Sequence, residues 1–420
     1  ALWCGNNENM VAWFNWGLQK RFKLKPADSV DVMRTYMTIF YDMIPNTIKK
    51  YDSTRFYWPS SPSGGYNYND FQSAKSGDVH DWWIWFGKAF FKELVSRKQR
   101  FISEYGLQSF PEIKTIKSFA IAEDMAYDSP LFDYKQRSEM PWIGKDTKGN
   151  TFNGNDMILE YIKMYYKEPV NFEDFIYLSQ LVQAEGLKYI IEGHRMHMPY
   201  CWGSMYWQIN DCWPTVSWST IDYFFRWKAA HYFVRNAYAP VIVVPRFENN
   251  VVEINIISDE LKEKKASLRY SVVDFSGEVK SKGNLDIVVM ANGSSVVLNK
   301  KISEMIPPNA NLKELLMKVE LLEGNKIIAQ NILYFDLPKE LVLPKANMTK
   351  SLVKTSGGYD LVLSADVLVK NVALTANNKD VFFSDNYFDI VPGEKKVIKL
   401  KSGSLLDIKD LKIKTLNELH

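Results

Sequence analysis

The 420-residue sequence has few cysteines and almost no charge imbalance, and it lacks a long apolar run. Its three cysteines, Cys4, Cys201 and Cys212, form no CxxC pair, so neither a disulfide framework nor a cysteine-ligated metal is expected. All three lie in aromatic-rich stretches that we expect to be buried. A net charge of +3 gives no basis for binding nucleic acid. No apolar run approaches the roughly 18 residues that a membrane span requires.

Histidine is also scarce, with five residues scattered along the chain. His194 and His197 are three apart on a predicted helix, but no acidic or cysteine partner is expected to complete a metal site with them. There is no glycine-rich loop of the kind that binds nucleotides. We therefore expect neither a metal nor a cofactor.

Aromatic residues, in contrast, are plentiful. They make up 14% of the chain and include 13 tryptophans. Most should belong to the core, but an excess of tryptophan also suits carbohydrate binding, because the apolar faces of sugars pack on flat rings.

The first 240 residues alternate between strand-like and helix-like patterns. About five strands can be counted, whereas a closed (β/α)8 barrel needs eight in roughly 250 residues. We therefore predict that residues 1–240 are the C-terminal part of a (β/α)8 catalytic barrel. One helix is predicted to start near Asp28 and to end at Pro45, and a longer one runs from Phe172 to about His197.

Beyond residue 240 the sequence pattern changes to short runs in which apolar and polar residues alternate. Turn signals separate these runs, a pattern that is typical of β-sandwiches. We predict two immunoglobulin-like sandwiches, over residues 241–338 and 339–420. The chain also starts without a methionine and inside a strand-like stretch. We therefore expect it to be the C-terminal piece of a longer polypeptide.

Two stretches place a glutamate at the end of an apolar run. ALWCGNNEN at the start of the chain leads into Glu8, and RFISEYG leads into Glu104. Catalytic residues of barrel enzymes sit where strands end. A pair of carboxylates at such positions is what a glycosidase uses as its acid/base and its nucleophile.

These motifs resemble those of the β-mannosidases of glycoside hydrolase family 2. The likeness extends to YWPSSPS, GDVH, the segment MYWQINDCWPTVSWSTIDYFFRWKA and SDNYFDIVPGE, which are spread over nearly the whole chain. The form CGNNE separates the sequence from the β-galactosidase and β-glucuronidase branches, whose corresponding motif reads more like GNE.

The resemblance implies a retaining exo-hydrolase that releases terminal β-linked mannose. Glu8 would be the acid/base at the end of barrel strand four, and Glu104 the nucleophile at the end of strand seven. Glu104 must be ionised to attack the sugar, and Glu8 must hold a proton near neutral pH. Asn7 would bind the sugar 2-hydroxyl.

Other aromatic and polar residues are candidates for contacts with the substrate. Trp207 corresponds to a tryptophan that forms the floor of the sugar pocket in the family, although packing in the core is the alternative. Trp16 and Trp82 fit a pocket or a core position equally well. His80 could bind substrate or support Asp78, and the second interpretation is slightly favoured.

The sequence departs from the family at one position. Glycosidases of this clan carry a tyrosine after strand six that hydrogen-bonds the nucleophile, but the run HDWWIWF contains none. Asp81 and Phe86 are candidates for its place.

The resemblance also implies partners and a location. The substrate would be a β-mannoside oligosaccharide or glycan, and the N-terminal half of the same polypeptide would complete the barrel. Without that half, the 420 residues are expected to be nearly inactive. A periplasmic, secreted or lysosomal location is favoured over a cytoplasmic one. Two alternatives remain open: a carbohydrate-binding or scaffold protein without turnover, and a relative specific for β-glucosides or glucosaminides.

Overall fold

A computed structural model describes residues 2–65, 70–377 and 379–420. The chain forms two compact units. The described part of the first comprises residues 2–65, 70–105 and 200–207, and that of the second comprises residues 106–199, 208–377 and 379–420.

Five short parallel strands belong to the described part of the first unit. They are β1 (Trp3–Cys4), β2 (Tyr57–Trp58), β3 (Val79–His80), β4 (Phe101–Glu104) and β5 (Gly203–Ser204). Strand β1 pairs with β2, and β4 lies between β3 and β5. Because all these pairings are parallel, the carboxyl ends of neighbouring strands meet at the same edge. The strand predicted to lead into Glu104 is therefore present.

Six helices and a π-helical turn complete the regular structure of the described part of this unit. The helices are α1 (Asn9–Asn15), α2 (Leu18–Arg21), α3 (Pro26–Met37), α4 (Ile44–Tyr51), α5 (Trp83–Phe86) and α6 (Phe91–Val95). A π-helical turn, Thr38–Met43, joins α3 directly to α4.

Two expectations for this unit are wrong. The helix does not stop at Pro45, because the π-helical turn continues into α4, and the proline falls in the first turn of α4, where its missing N–H is tolerated. The opening strand is not buried, since Trp3 and Cys4 are exposed and β1 has one strand partner among the described residues. Cys212, in the second unit, is exposed as well, and only Cys201 of the three cysteines is buried.

The second unit begins with helices. They are α7 (Ile113–Ile116), α8 (Pro130–Lys135), α9 (Gly154–Tyr165), α10 (Phe172–Met196) and α11 (Ala229–Ala237). The predicted long helix is thus confirmed as α10. It starts where the side chain of Asn171 accepts a hydrogen bond from the backbone N–H of Asp174 at 2.9 Å. Among the helices of the described residues, none is both long and apolar enough to cross a membrane.

The rest of the second unit contains fourteen strands in two sandwiches. The first sandwich consists of β6 (Val241–Glu248), β7 (Val251–Ser258), β8 (Lys264–Asp274), β9 (Val279–Val289), β10 (Gly293–Lys301), β11 (Leu315–Glu323) and β12 (Lys326–Tyr334). Its sheets have the orders β10-β7-β6 and β12-β11-β8-β9. Side chains from both sheets, such as Ile254 and Met317, meet in one buried core.

The second sandwich consists of β13 (Met348–Thr355), β14 (Gly358–Ala365), β15 (Val369–Ala376), β16 (Val381–Phe383), β17 (Phe388–Ile390), β18 (Lys395–Ser402) and β19 (Leu411–Lys414). Its strand orders are β13-β14-β18-β16 and β17-β15-β19. Leu361 and Leu374, on opposite sheets, lie in its core. The alternating pattern after residue 240 therefore does encode antiparallel sandwiches, because each strand buries one face.

Candidate active site

Glu8 occupies a strained backbone position just before α1. Its φ is 61°, in the left-handed region that residues other than glycine rarely adopt. Its N–H donates to the backbone oxygen of Ser61 at 2.6 Å, which ties the residue to the segment after β2. Strain of this kind persists only where the surrounding structure enforces it, and it is common at functional sites.

Glu104 is the last residue of β4, the central strand of its sheet, and its side chain is largely buried. Strand β3 brings His80 alongside it as its register partner. Oε2 of Glu104 lies 3.2 Å from Nδ1 of His80. The sheet therefore presents a carboxylate and an imidazole side by side.

The imidazole of His80 connects the two glutamates. Its Nδ1 lies 2.8 Å from Oε1 of Glu8 as well as close to Glu104. One oxygen of each glutamate and this ring nitrogen all lie within 4.8 Å of one another. The two glutamate oxygens are thus at most 4.8 Å apart, slightly closer than the roughly 5–5.5 Å expected between the carboxyls of a retaining glycosidase.

The other ring nitrogen of His80 faces a serine. Its Nε2 is 3.0 Å from Oγ of Ser61, whose hydroxyl donates to Asp78 Oδ2 at 2.5 Å. One imidazole therefore connects the two glutamates, through Nδ1, to Ser61 and Asp78, through Nε2. His80 thus reaches Asp78 through the hydroxyl of Ser61, and the choice between supporting Asp78 and binding substrate stays a prediction.

Ser61 is a member of this network that the sequence interpretation did not single out, whereas Asp78 was named there as the residue that His80 could support. Asp78 also accepts hydrogen bonds from the hydroxyl of Ser103 at 2.6 Å, from the indole of Trp58 at 3.2 Å and from the N–H of Ser63 at 3.0 Å. Serines gave no signal in the sequence, because their partners lie on other strands.

The environment of Glu104 changes its acidity. Burial raises the pKa of Glu104 above its ordinary value, and the nearby carboxylate of Glu8 raises it further. The charge of His80 and the hydrogen bond from Trp82 lower it. His80 and Trp82 therefore favour the ionised form of Glu104, the form that its predicted role as nucleophile requires.

The hydrogen bond that the resemblance leads one to expect from a tyrosine is made by a tryptophan. Nε1 of Trp82 donates to Oε2 of Glu104 at 3.1 Å. Neither Asp81 nor Phe86 takes this place: the carboxyl of Asp81 accepts from the N–H of Trp83 at 3.3 Å, and Phe86 packs on Trp82 with ring centroids 5.9 Å apart. The indole N–H is a donor that the sequence interpretation overlooked.

The remaining predicted residues lie at different points of the first unit. Asn7 is exposed, and its side chain makes no hydrogen bond within the described part of the chain. Trp207 is 42% exposed. Its backbone N–H donates at 2.8 Å to the backbone oxygen of Tyr105, the residue directly after Glu104. Trp16 ends α1 with 55% of its surface exposed. Exposure of both rings is consistent with packing against a sugar.

Two carboxylates and an imidazole are also a donor set that divalent transition metals accept. Here, however, Nδ1 of His80 lies at hydrogen-bonding distance from both glutamates, and a metal would need that nitrogen without its proton. The contacts of Glu8, His80 and Glu104 are therefore those of a hydrogen-bonded cluster.

Family models match the two sandwiches. Residues 250–340 match the mannosidase Ig/CBM-like domain, and residues 343–419 match an Ig-fold domain found in mannosidases.

Whole-chain comparisons extend the likeness to the first unit. β-Mannosidase B of Aspergillus terreus is 27% identical over 100% of this chain and 50% of that protein. The β-mannosidase of Mus musculus is 30% identical over 73% of this chain and 35% of its own length. The crystal structure of the β-D-mannosidase from Dictyoglomus thermophilum is 29% identical with a TM-score of 0.81, covering 99% of this chain and 48% of that one. The chain thus spans about half the length of these relatives or less.

Proposed function

We propose the function of this glycoside-hydrolase-like chain from its relatives, the β-mannosidases of glycoside hydrolase family 2. The chain resembles the C-terminal portion of these enzymes. The chain contributes the catalytic carboxylates of a retaining exo-hydrolase that releases terminal β-linked mannose. The observation that carries this proposal is the pair of glutamates that share one imidazole. Glu8 is the acid/base, and Glu104 is the nucleophile.

The reaction takes two displacements at the anomeric carbon. Glu104 attacks this carbon while Glu8 gives its proton to the departing glycosidic oxygen. The negative charge of Glu104 disappears in the resulting glycosyl ester, so Glu8 can then remain ionised and accept a proton from the attacking water. His80 stabilises whichever glutamate carries the charge, because its Nδ1 reaches both.

The substrate assignment rests on the relatives and on the surroundings of the glutamates. The amide of Asn7 is next to Glu8, makes no hydrogen bond to the described residues, and is available to a sugar hydroxyl. The backbone N–H of Trp207 donates to the backbone oxygen of Tyr105, the residue after Glu104, and the exposed ring of Trp207 provides a flat apolar surface. Trp16 is the less supported contact, since it makes no hydrogen bond to the glutamates or to His80 in the described residues.

The five parallel strands are proposed to be the C-terminal part of a (β/α)8 barrel, with residues 1–240 as the catalytic domain and 241–338 and 339–420 as the two immunoglobulin-like domains. Exposed apolar side chains in the first unit support a missing neighbour: Trp3 on β1, Val30 on α3 and Met43 on the π-helical turn. We infer that the partner is a polypeptide half that supplies the first barrel strands, and that the 420 residues alone turn over poorly.

The test is hydrolysis of an aryl β-mannoside by the chain alone and by a fusion to the N-terminal half of the Dictyoglomus thermophilum enzyme. The proposal predicts little turnover by the chain alone and clear turnover by the fusion, with loss in both Glu8→Gln and Glu104→Gln. Aryl β-glucoside and β-glucosaminide should react more slowly. Preference for either of these would change the assigned sugar, and mannose binding without turnover would favour a binding protein.

A further inference from the structure

A cavity of about 400 Å³ lies within the second unit, away from Glu8 and Glu104 in sequence. Its walls come from the turn before α11 and from strands of the second sandwich, including β15, β16 and β18. Its volume falls within the range of small-molecule sites. Neither the proposed reaction nor the named relatives assign anything to it.

Aromatic rings line one side of the cavity. Trp227 packs edge-on against Phe382 with centroids 5.2 Å apart, and Phe382 is itself 43% exposed. Phe225 is 80% exposed and has a φ of 63°, so the turn holds a large apolar ring in solvent by means of a backbone conformation that such residues rarely adopt. Exposed rings around a cavity suit the apolar faces of a sugar.

Charged groups also line the cavity. Asp380 forms ion pairs with Lys114 at 2.6 Å and with Arg226 at 3.2 Å. Lys379 is paired with Asp410 at 2.6 Å, whereas Lys401, on β18, is exposed and forms no ion pair with a carboxylate in the part of the chain that the structure describes. With these pairs and Glu112 taken into account, a small excess of positive charge remains, and Lys401 is its unpaired member.

Glu112 makes that excess depend on pH. Although part of its surface is accessible, burial raises the pKa of Glu112 to about 7, and the carboxylate of Asp222 adds to the rise. Arg226 and Lys114 oppose the rise, and Asp380 supports it. The phenols of Tyr232 and Tyr387 also face Glu112 and stay neutral, because burial raises the pKa of each.

We propose that this cavity binds a saccharide that carries a carboxylate, with the sugar ring on Phe225 and Phe382 and the carboxylate near Lys401 and Arg226. The aromatic rings account for the sugar, and the excess of cations accounts for its charge. The inference does not depend on the proposed hydrolase activity, because it concerns binding by different residues.

Two matched ligands test the proposal by calorimetry on the 420-residue protein. The β-1,4-linked tetrasaccharide of mannuronate and its C6 methyl ester share one backbone and differ only in the charge at C6, and neither carries the unmodified mannose expected at the Glu8–Glu104 site. We expect the mannuronate to bind and the neutral ester to bind at least about tenfold more weakly, the scale of a charge-assisted contact. Mannuronate affinity should also rise by up to about tenfold from pH 8 to pH 6, following the protonated fraction of a carboxyl with a pKa of about 7.

Variants locate the binding. Phe225→Ala and Lys401→Gln should each weaken mannuronate binding, and Glu112→Gln should remove the pH dependence. Phe22→Ala, in the first unit, and Lys399→Gln, on the same strand as Lys401, are matched controls that should leave affinity unchanged. Absence of mannuronate binding, equal binding of both tetrasaccharides, or equal losses in the variants and their controls would overturn the proposal.

Discussion

The indole Nε1 of Trp82 donates a hydrogen bond to Oε2 of Glu104 across 3.1 Å. An indole N–H is a donor only and does not lose its proton in the pH range of enzymes, whereas a phenol can. The candidate nucleophile is thus held by a group whose own charge never changes.

This contact predicts a loss of rate when the donor is removed. Trp82→Phe should lower kcat/KM for the aryl β-mannoside by about 10- to 100-fold, because a hydrogen bond to a charged group contributes roughly 1.5–3 kcal/mol. The neighbouring Trp83→Phe is the matched control and should have little effect. In the isolated chain, the NMR resonance of the Trp82 indole N–H should shift with pH as Glu104 titrates. The Glu104→Gln substitution should abolish that shift. A pH-invariant resonance would contradict the contact.

His80 should set the acidic limb of the pH–rate profile. Its charge lowers the pKa of Glu104, so its removal lets burial and Glu8 raise that pKa further. Because Glu104 must be ionised to attack, His80→Gln should move the acidic limb of kcat/KM to higher pH. His231→Gln serves as the control, since His231 contacts Thr220 and lies in the second unit. An unchanged acidic limb in His80→Gln would contradict the assigned role.

The raised pKa of Glu104 also has a consequence for stability. A carboxyl whose folded-state pKa is raised holds its proton more tightly in the folded chain than in the unfolded chain. Its contribution to stability is therefore present at pH values below its unfolded-state pKa. This contribution is lost as the pH rises through its folded-state pKa. Glu104→Gln should therefore raise the melting temperature at neutral pH and have a smaller effect at pH 4. Glu93→Gln, on the exposed surface, is the control. A lower melting temperature for Glu104→Gln at pH 7 would contradict the sign.

Buried Lys228 gives the opposite dependence in the second unit. Burial lowers the pKa of Lys228 to about 8, and its ammonium group contacts the backbone oxygens of Ser109 at 3.2 Å and Ser217 at 3.4 Å. The unfolded chain binds this proton more tightly, so stability should increase between about pH 8 and pH 10.5, by up to about 3 kcal/mol from this residue. Urea unfolding of Lys228→Met should lack that increase, while the exposed Lys117→Met should retain it. Identical pH slopes in both variants would argue against a perturbed Lys228.

The sequence allowed some features of the molecule to be predicted, because they are local. Strand β4 and its terminal Glu104 followed from an apolar run with a polar end, and α10 followed from its helical periodicity. The sandwiches followed from alternating residues after position 240. In each case the pattern records which face of an element is buried, and that information lies within the element itself.

The features that were missed depend on contacts between elements. Pro45 signals a helix end, but the preceding π-helical turn lets the helix continue through it. Trp82 was known as a candidate, yet its role as the donor to Glu104 depends on how β3 and β4 lie side by side. The burial predicted for Cys4 failed because burial depends on the neighbours of β1, which a strand-like pattern does not identify.

The central claim is tested most directly by trapping the covalent intermediate. Whichever form of the protein hydrolyses the aryl β-mannoside is treated with 2-deoxy-2-fluoro-β-mannosyl fluoride, digested and analysed by mass spectrometry. The account predicts a single fluoromannosyl group on Glu104, with its formation slowed in Trp82→Phe and absent in Glu104→Gln. A label on another carboxylate, or rapid hydrolysis by Glu104→Gln, would contradict it.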